Sequence, residues 1–153
     1  MFLFDKQTMI FIGADHAGFH LKEELKQYLE ELGYEYQDLG AEEFKAKDDY
    51  PDYASEVARR VVAENGLGIL ICATGSGVCL VANKVKRVRA SVVWDEFTAL
   101  QAREHNNANI ICLAGKVLDS ETAKKIVRLW LEAEFTNEER HVRRLGKVEE
   151  IEK

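Results

Sequence analysis

Proline is almost missing from this chain: Pro51 is the one example in 153 residues. A proline-rich linker is therefore excluded, and no low-complexity segment or internal repeat breaks the sequence. Cysteine is scarce too, with three residues and no Cys-x-x-Cys pair. The odd count does not suit a disulfide framework, and the missing pair removes the usual zinc signature. Reduced thiols in a cytoplasm fit this usage. No apolar run approaches the ~18 residues that a membrane-spanning helix needs. The opening "MFLFDKQTMIFIGADH" lacks a basic stretch followed by a long apolar core, so no secretory signal is expected. Basic residues are outnumbered, 21 Lys and Arg against 27 Asp and Glu, for a net charge of −6. That balance gives no support for nucleic-acid binding. The basic residues nonetheless cluster at 84–89 and 140–144, which is most often solvated surface, although small anions such as sugar phosphates use sites of this kind.

What is present suits a globular domain. Hydrophobic residues make up 46% and charged residues 31%. A chain of this size buries roughly 70% of its unfolded surface, and a single domain spanning 1–153 is expected. Short apolar runs alternate with amphipathic stretches. "MIFIGA" (9–14), the weaker "YEYQDLG", "GILIC" (68–72), "RASVVW" and "NIICLA" read as five strands. "GILIC" is apolar throughout, as a central parallel strand buried on both faces should be. Between them, helices are expected over "GFHLKEELKQYLEELG", with Gly33 as its stop, and over "YPDYASEVARRVVAENG". A short helix is expected over 78–84, then one from an Asp95 cap to about His105, and then "SETAKKIVRLWLEAEF". The tail "NEERHVRRLGKVEEIEK" has too few apolar positions to be an independent core element, so 136–153 is expected to lie on a neighbouring subunit. Such a βα repeat makes a five-stranded parallel sheet with helices on both faces. Its ligand belongs at the carboxyl ends of the strands, and the polar segment "GAEEFKAKDDY" (40–50) is expected to be a loop near that end.

The strand-end rule selects Asp15 and His16 after the first strand and Cys72, Thr74, Gly75 and Gly77 after the third. His16 is read as opening the first helix. His105 and Asn106 close the fourth helix and fall outside that zone. Cys72 could be buried filler, a nucleophile or a proton-transfer base, whereas Cys79 and Cys112 sit in apolar runs and read as core. Gly75 and Gly77 allow close backbone approach, and the N–H groups that open the next helix favour anions. The turn is therefore either a phosphate cradle or a hole for another anion. Three motifs fail. A Cys-x5-Arg phosphatase loop would need arginine where Val78 stands, no lysine completes a Walker A loop, and "GADHAG" is not Gly-x-Gly-x-x-Gly. The pair His105 and Asn106 could be a plain helix end, or an acid/base histidine beside a hydroxyl-binding amide. The run "RHVRR" (140–144) is ambiguous: such charge runs usually face solvent, but Arg140 and Arg144, spaced i, i+4, point the same way on a helix and can grip a phosphate.

At this point the chain resembles the type B ribose-5-phosphate isomerases, a family that includes the galactose-6-phosphate isomerase subunits. The matching segments are "GADHAGFHLKEEL", "DYPDYA", "GILICATGSGVCLVANK", "REHNNANI" and "ERHVRRL", in the family's order and over nearly the whole chain. The resemblance implies a Rossmann-like three-layer α/β/α sandwich that forms homodimers or tetramers, with active sites between two subunits and no metal or organic cofactor. The implied reaction interconverts an aldose phosphate and a ketose phosphate through a cis-enediolate, with ribose 5-phosphate and ribulose 5-phosphate as the expected pair. Cys72 matches the catalytic base, and Thr74 and His105 match residues that help open the sugar ring. Asp15 and Asn106 match groups that hold hydroxyls, and the amides of Gly75, Ser76, Gly77 and Val78 match the enediolate oxygen hole. His16, Lys116, Arg140, His141 and Arg144 match positions around the phosphate. Some members place a glutamate where Val78 stands, so this chain is similar to the cysteine type. Ala73 stands where glycine is usual and Lys116 where arginine is usual. A lysine keeps the charge but loses the bidentate fork.

Three other readings stand beside this one, the first being a subunit that must pair with a different partner chain and is inactive alone. A six-carbon substrate, galactose 6-phosphate or allose 6-phosphate, would suit the same chemistry. A non-catalytic module binding a phosphorylated metabolite would need none of Cys72, Thr74 and His105.

Overall fold

A computed structural model of the chain describes residues 6–153. The expectation of no secretory signal rests partly on residues 1–5, which lie outside the described residues. Five strands, β1 (Ile10–Ala14), β2 (Tyr36–Asp38), β3 (Leu67–Cys72), β4 (Ala90–Val92) and β5 (Ile110–Ala114), form one sheet in the order β2-β1-β3-β5-β4. Every pairing is parallel. Six helices accompany them: α1 (Phe19–Leu32), α2 (Tyr50–Glu64), α3 (Ser76–Ala82), α4 (Glu96–Glu104), α5 (Ser120–Glu132) and α6 (Glu139–Ile151). This is the expected three-layer α/β fold.

The central strands β1, β3 and β5 are buried along their whole length. Alternate residues point to opposite faces, as the pleat requires. Ile10, Ile12, Ile69, Ile71, Ile111 and Leu113 meet Leu25 and Leu29 of α1, Ala99 of α4 and Trp130 of α5. On the other face, Phe11, Leu70, Cys72 and Cys112 meet Val57 and Val61 of α2 and Val78 of α3. Trp130 is fully buried, and its indole N–H donates to the Ala108 carbonyl at 3.2 Å. The inward set Ala123, Ile126, Val127, Trp130 and Leu131 is the one that the spacing in α5 predicts.

Several boundaries differ from expectation. Helix α1 begins at Phe19, so His16 does not open it. The Asp15 carbonyl accepts the Gly18 amide at 3.0 Å and its carboxylate accepts the Ala17 amide at 3.0 Å. These bonds spend the local donors on a turn. Helix α3 begins at Ser76 rather than 78 because Gly75 turns the chain directly into it. Strand β4 keeps only its middle three residues as an edge strand. Helix α5 ends at Glu132, where Ala133 goes extended. Asp95 does cap α4, with Thr98 completing a reciprocal capping box. Among the described residues no helix is long and apolar enough to cross a membrane.

One buried cation was not foreseen. Lys22 faces inward on α1 and is wholly buried. Its ammonium reaches the Asp38 carboxylate at 2.8 and 3.1 Å and the Ala41 carbonyl at 2.8 Å, and it lies 5.0 Å from the centre of the Phe19 ring. Lys26 and the Gly40 amide also donate to Asp38. Burial pushes the Asp38 carboxyl up, but these donors outweigh it and hold the group below its ordinary value. The network pins the start of the 40–49 loop.

A carboxyl held low in the folded state stabilises the protein above its unfolded value and loses that contribution as pH falls through the folded value. Asp38→Asn should therefore lower stability by about 2 kcal/mol at neutral pH. The gap to wild type should narrow steadily as pH falls below the ordinary carboxylate range and Asp38 takes up its proton. Urea unfolding across that pH range measures it.

Candidate active site

Three loops leave the carboxyl edge of the sheet side by side. Strand β3 is central, and the register sets its last residue, Cys72, opposite Ala114 of β5, while Ile71 lies opposite Ala14 of β1. Beyond the strands the contacts continue. The Asp15 amide donates to the Ile71 carbonyl at 3.3 Å, the Gly115 amide to Cys72 at 2.8 Å and the Lys116 amide to Ala73 at 3.2 Å. Asp15, His16, Cys72, Thr74 and Lys116 are thereby gathered at one pole. The two departures, Ala73 and Lys116, are direct backbone partners.

Cys72 is 5% exposed and faces the α2 and α3 side. Thr74 is exposed, and its hydroxyl accepts the Ser76 amide at 3.2 Å. Gly75 adopts φ 78°, the left-handed region that glycine enters freely. The first helical bond of α3 runs from the Cys79 amide to Gly75. The amides of Gly77 and Val78 precede it, so the helix supplies them no acceptor. The ring of Tyr50 lies over Gly77, where a β-carbon would come within 2.9 Å of it. Of the cysteines read as core, Cys112 is fully buried, and burial pushes its thiol up. Cys79 is half-buried, with its thiol 3.4 Å from the Ala90 carbonyl.

Asp15 is buried, and its carboxylate lies near His16 and Asp48, with one ligand atom from each of the three within 4.8 Å of the others. Asp48 holds His16 twice: one carboxylate oxygen accepts its backbone amide at 2.8 Å and meets Nδ1 of its ring at 2.9 Å. The other accepts the Tyr53 hydroxyl at 2.9 Å. Burial raises the Asp48 carboxyl, but the His16 and Tyr53 donors prevail and it lies below its ordinary value. Lys47, just before it, takes φ 61°, a left-handed conformation that costs on the order of 1 kcal/mol. Asp48, Tyr50 and Tyr53 were not singled out from the sequence. The usable signal was the placement of the 40–50 loop at this pole, with two aspartates at its end.

The remaining candidates lie elsewhere. His105 caps the carboxyl end of α4, and the chain turns there into β5. Strand β5 runs four steps from Ile110 to Ala114, roughly 13 Å at strand rise. His105 and Asn106 are therefore at the amino pole of the sheet, opposite Cys72. His141 joins them: its ring stacks on His105 with centroids 4.1 Å apart. His141 is buried with Nε2 unbonded among the described residues, and burial and the His105 ring push it below the ordinary histidine value. Arg140 and Arg144 are exposed on α6, and Arg140 pairs with Glu138 at 2.9 Å. One chain thus carries two half-sets of the candidate residues and does not bring them together.

The profile of the Ribose/Galactose Isomerase family matches residues 10–148. The chain belongs to that family. It is 38% identical over 145 residues to the ribose-5-phosphate isomerase B of Mycobacterium tuberculosis, covering 94% of this chain and 90% of that one. The crystal structure of the ribose-5-phosphate isomerase B of Mycoplasma genitalium with bound ribulose-5-phosphate is 44% identical, with a TM-score of 0.91 over 94% of this chain and 95% of that one. The isomerase B structure from Clostridium thermocellum is 43% identical, with a TM-score of 0.90 over 94% and 97%. The family's fold thus extends over nearly all of the described chain.

The glycine turn gives a direct test of the local geometry. A β-carbon at Gly75 would meet the Cys112 carbonyl at 3.2 Å in a conformation that L residues avoid. Gly75→Ala should cost about 2 kcal/mol in urea unfolding, whereas Ser76→Ala, at an exposed position, should stay within about 0.5 kcal/mol.

Proposed function

We propose that the chain interconverts ribose 5-phosphate and ribulose 5-phosphate, with Cys72 as the proton-transfer base. Membership of an isomerase family makes it an aldose–ketose isomerase. The observation that carries the finer reading is the pole where a thiol, two amides without helical acceptors and a buried aspartate meet at the ends of adjacent strands. In the ring-opened aldose, the Cys72 thiolate takes the proton from C2, and the electron pair moves toward the carbonyl as O1 becomes the enediolate oxygen. The thiol then returns the proton to C1 while the hydroxyl proton on O2 moves to O1, leaving the ketose. Amides aimed at the developing charge supply on the order of 3 kcal/mol each. Gly77 and Val78 are the donors for it, with Gly75 and Ser76 shaping the turn. Thr74 and His105 assist ring opening, Asp15 and Asn106 hold hydroxyls, and His16, Lys116, Arg140, His141 and Arg144 surround the phosphate.

This assignment requires two chains. His105, Asn106, Arg140, His141 and Arg144 sit at the pole away from Cys72, so they serve the site of a second copy in a homodimer. Helix α6 supports this: only His141 of its thirteen residues is buried, and Val142, Val148 and Ile151 are exposed. The tail 136–153 is accordingly an interface element of a single domain spanning 1–153. Three free thiols suit a cytoplasmic setting. The contact between Ala73 and Lys116 favours a second reading, a six-carbon sugar phosphate, because both departures from the resemblance fall at one point of the site.

Cys72→Ala should lower kcat by a factor on the order of 100 to 10,000. The shared site is tested by refolding inactive Cys72→Ala and His105→Ala chains together. In a symmetric dimer each mixed pair regains one intact site, so about a quarter of wild-type activity should return. No recovery would show that each chain uses its own histidine. Turnover of ribose 5-phosphate against galactose 6-phosphate and allose 6-phosphate decides the substrate.

A further inference from the structure

The His16 ring is partly exposed, and one of its two nitrogens is already taken. Oδ1 of Asp48 accepts the His16 backbone amide at 2.8 Å and meets Nδ1 of the same residue at 2.9 Å. A single oxygen bridging main chain and ring fixes the side-chain rotation. An ionised carboxylate can only accept, so Nδ1 must carry a proton, and Nε2 is left for a ligand. The burial runs the same way, with the Asp48 side chain 10% exposed behind a His16 side chain that is 37% exposed.

The carboxylate is itself immobilised. The Tyr53 hydroxyl donates to Oδ2 at 2.9 Å from the first turns of α2. The loop that carries Asp48 is tied at its start by the Ala41 carbonyl on Lys22 and the Gly40 amide on Asp38. At its end, Lys47 is turned into the left-handed region immediately before the acid. Three donors on one carboxylate also absorb its charge, which would otherwise repel an anion approaching His16.

We propose that Asp48 is a positioning residue for phosphate recognition: it locks the rotation and tautomer of His16 so that Nε2 faces the phosphate of the substrate. The proposal rests on the reading of His16 as a phosphate ligand. Asp48 does not touch the reacting atoms. Its loss should weaken binding and leave the chemical step in place.

Two measurements test it. Nitrogen-15 spectra of histidine-labelled, ligand-free protein at pH 8 report the tautomer directly. Wild type should show His16 protonated at Nδ1, and Asp48→Ala should shift it to the Nε2-protonated form that free imidazole side chains prefer. In steady-state kinetics with ribose 5-phosphate, Asp48→Ala should raise KM about tenfold, the scale of a lost charged hydrogen bond, with kcat within about twofold. Asp48→Asn keeps the size and one acceptor oxygen, so it should raise KM less, and it serves if the alanine variant does not fold. His16→Ala should raise KM as much, and adding Asp48→Ala to it should change nothing more. An unchanged tautomer in Asp48→Ala overturns the proposal, as does an unchanged KM in Asp48→Asn if the alanine variant does not fold, or a fall in kcat at constant KM. If the tautomer shifts but His16→Ala leaves KM unaltered, the positioning stands and the phosphate role of His16 falls.

Discussion

The parallel register of β1, β3 and β5 governs this molecule. Parallel strands start and stop on the same sides of a sheet, so every loop that follows a strand leaves from one edge. Here the backbone contacts extend past the strands, from Asp15 to Ile71 and from Gly115 and Lys116 to Cys72 and Ala73. That extension draws the three loops together over the end of β3. The burial of the strands on both faces makes their register costly to shift, because a slip by one residue would turn every apolar side chain to the wrong face. The core therefore fixes the positions of the polar residues above it.

The same geometry keeps other residues apart. A helix that returns along the sheet ends at the opposite edge, and that is where α4 delivers His105 and Asn106. Within one chain the length of a strand separates them from Cys72. The stack of His141 on His105 marks this second pole as a built feature, since it buries a ring whose Nε2 has no hydrogen-bond partner among the described residues and lies 3.8 Å from the Glu138 carboxylate. The pole that carries Cys72 is shaped by the 40–49 loop, which is held at one end by a buried ammonium and ends at an acid that grips a histidine.

The architecture was readable in the sequence because its signals are periodic. The unbroken apolar run before Cys72, the inward spacing in α5 and the Asp95 cap each have one physical meaning, and each is found. Boundaries were less readable where a single turn decides them. The bonds of Asp15 to Ala17 and Gly18 delay α1, and the left-handed Gly75 advances α3. The Lys22 and Asp38 pair was hidden because a lysine in a helix normally reads as surface, and its partner is distant in sequence. Asp48 was hidden for a similar reason, since its meaning depends on folding the loop back onto His16. The split between the two poles follows from helix direction, which the order of elements does encode.

Two indoles occupy very different places in this fold. Trp130 is buried and bonded to the Ala108 carbonyl, on the turn that carries His105 into β5. Trp94 follows β4 and is 58% exposed. The chain has no other tryptophan. Its tryptophan fluorescence is therefore the sum of two contributions, one from the packed interior beneath the histidine pole and one from open surface at the opposite edge. The interior emitter follows the integrity of the fold, and the surface emitter registers whatever comes to cover that edge. Replacing either indole with phenylalanine turns the native protein into a single-colour gauge of one end of its own sheet.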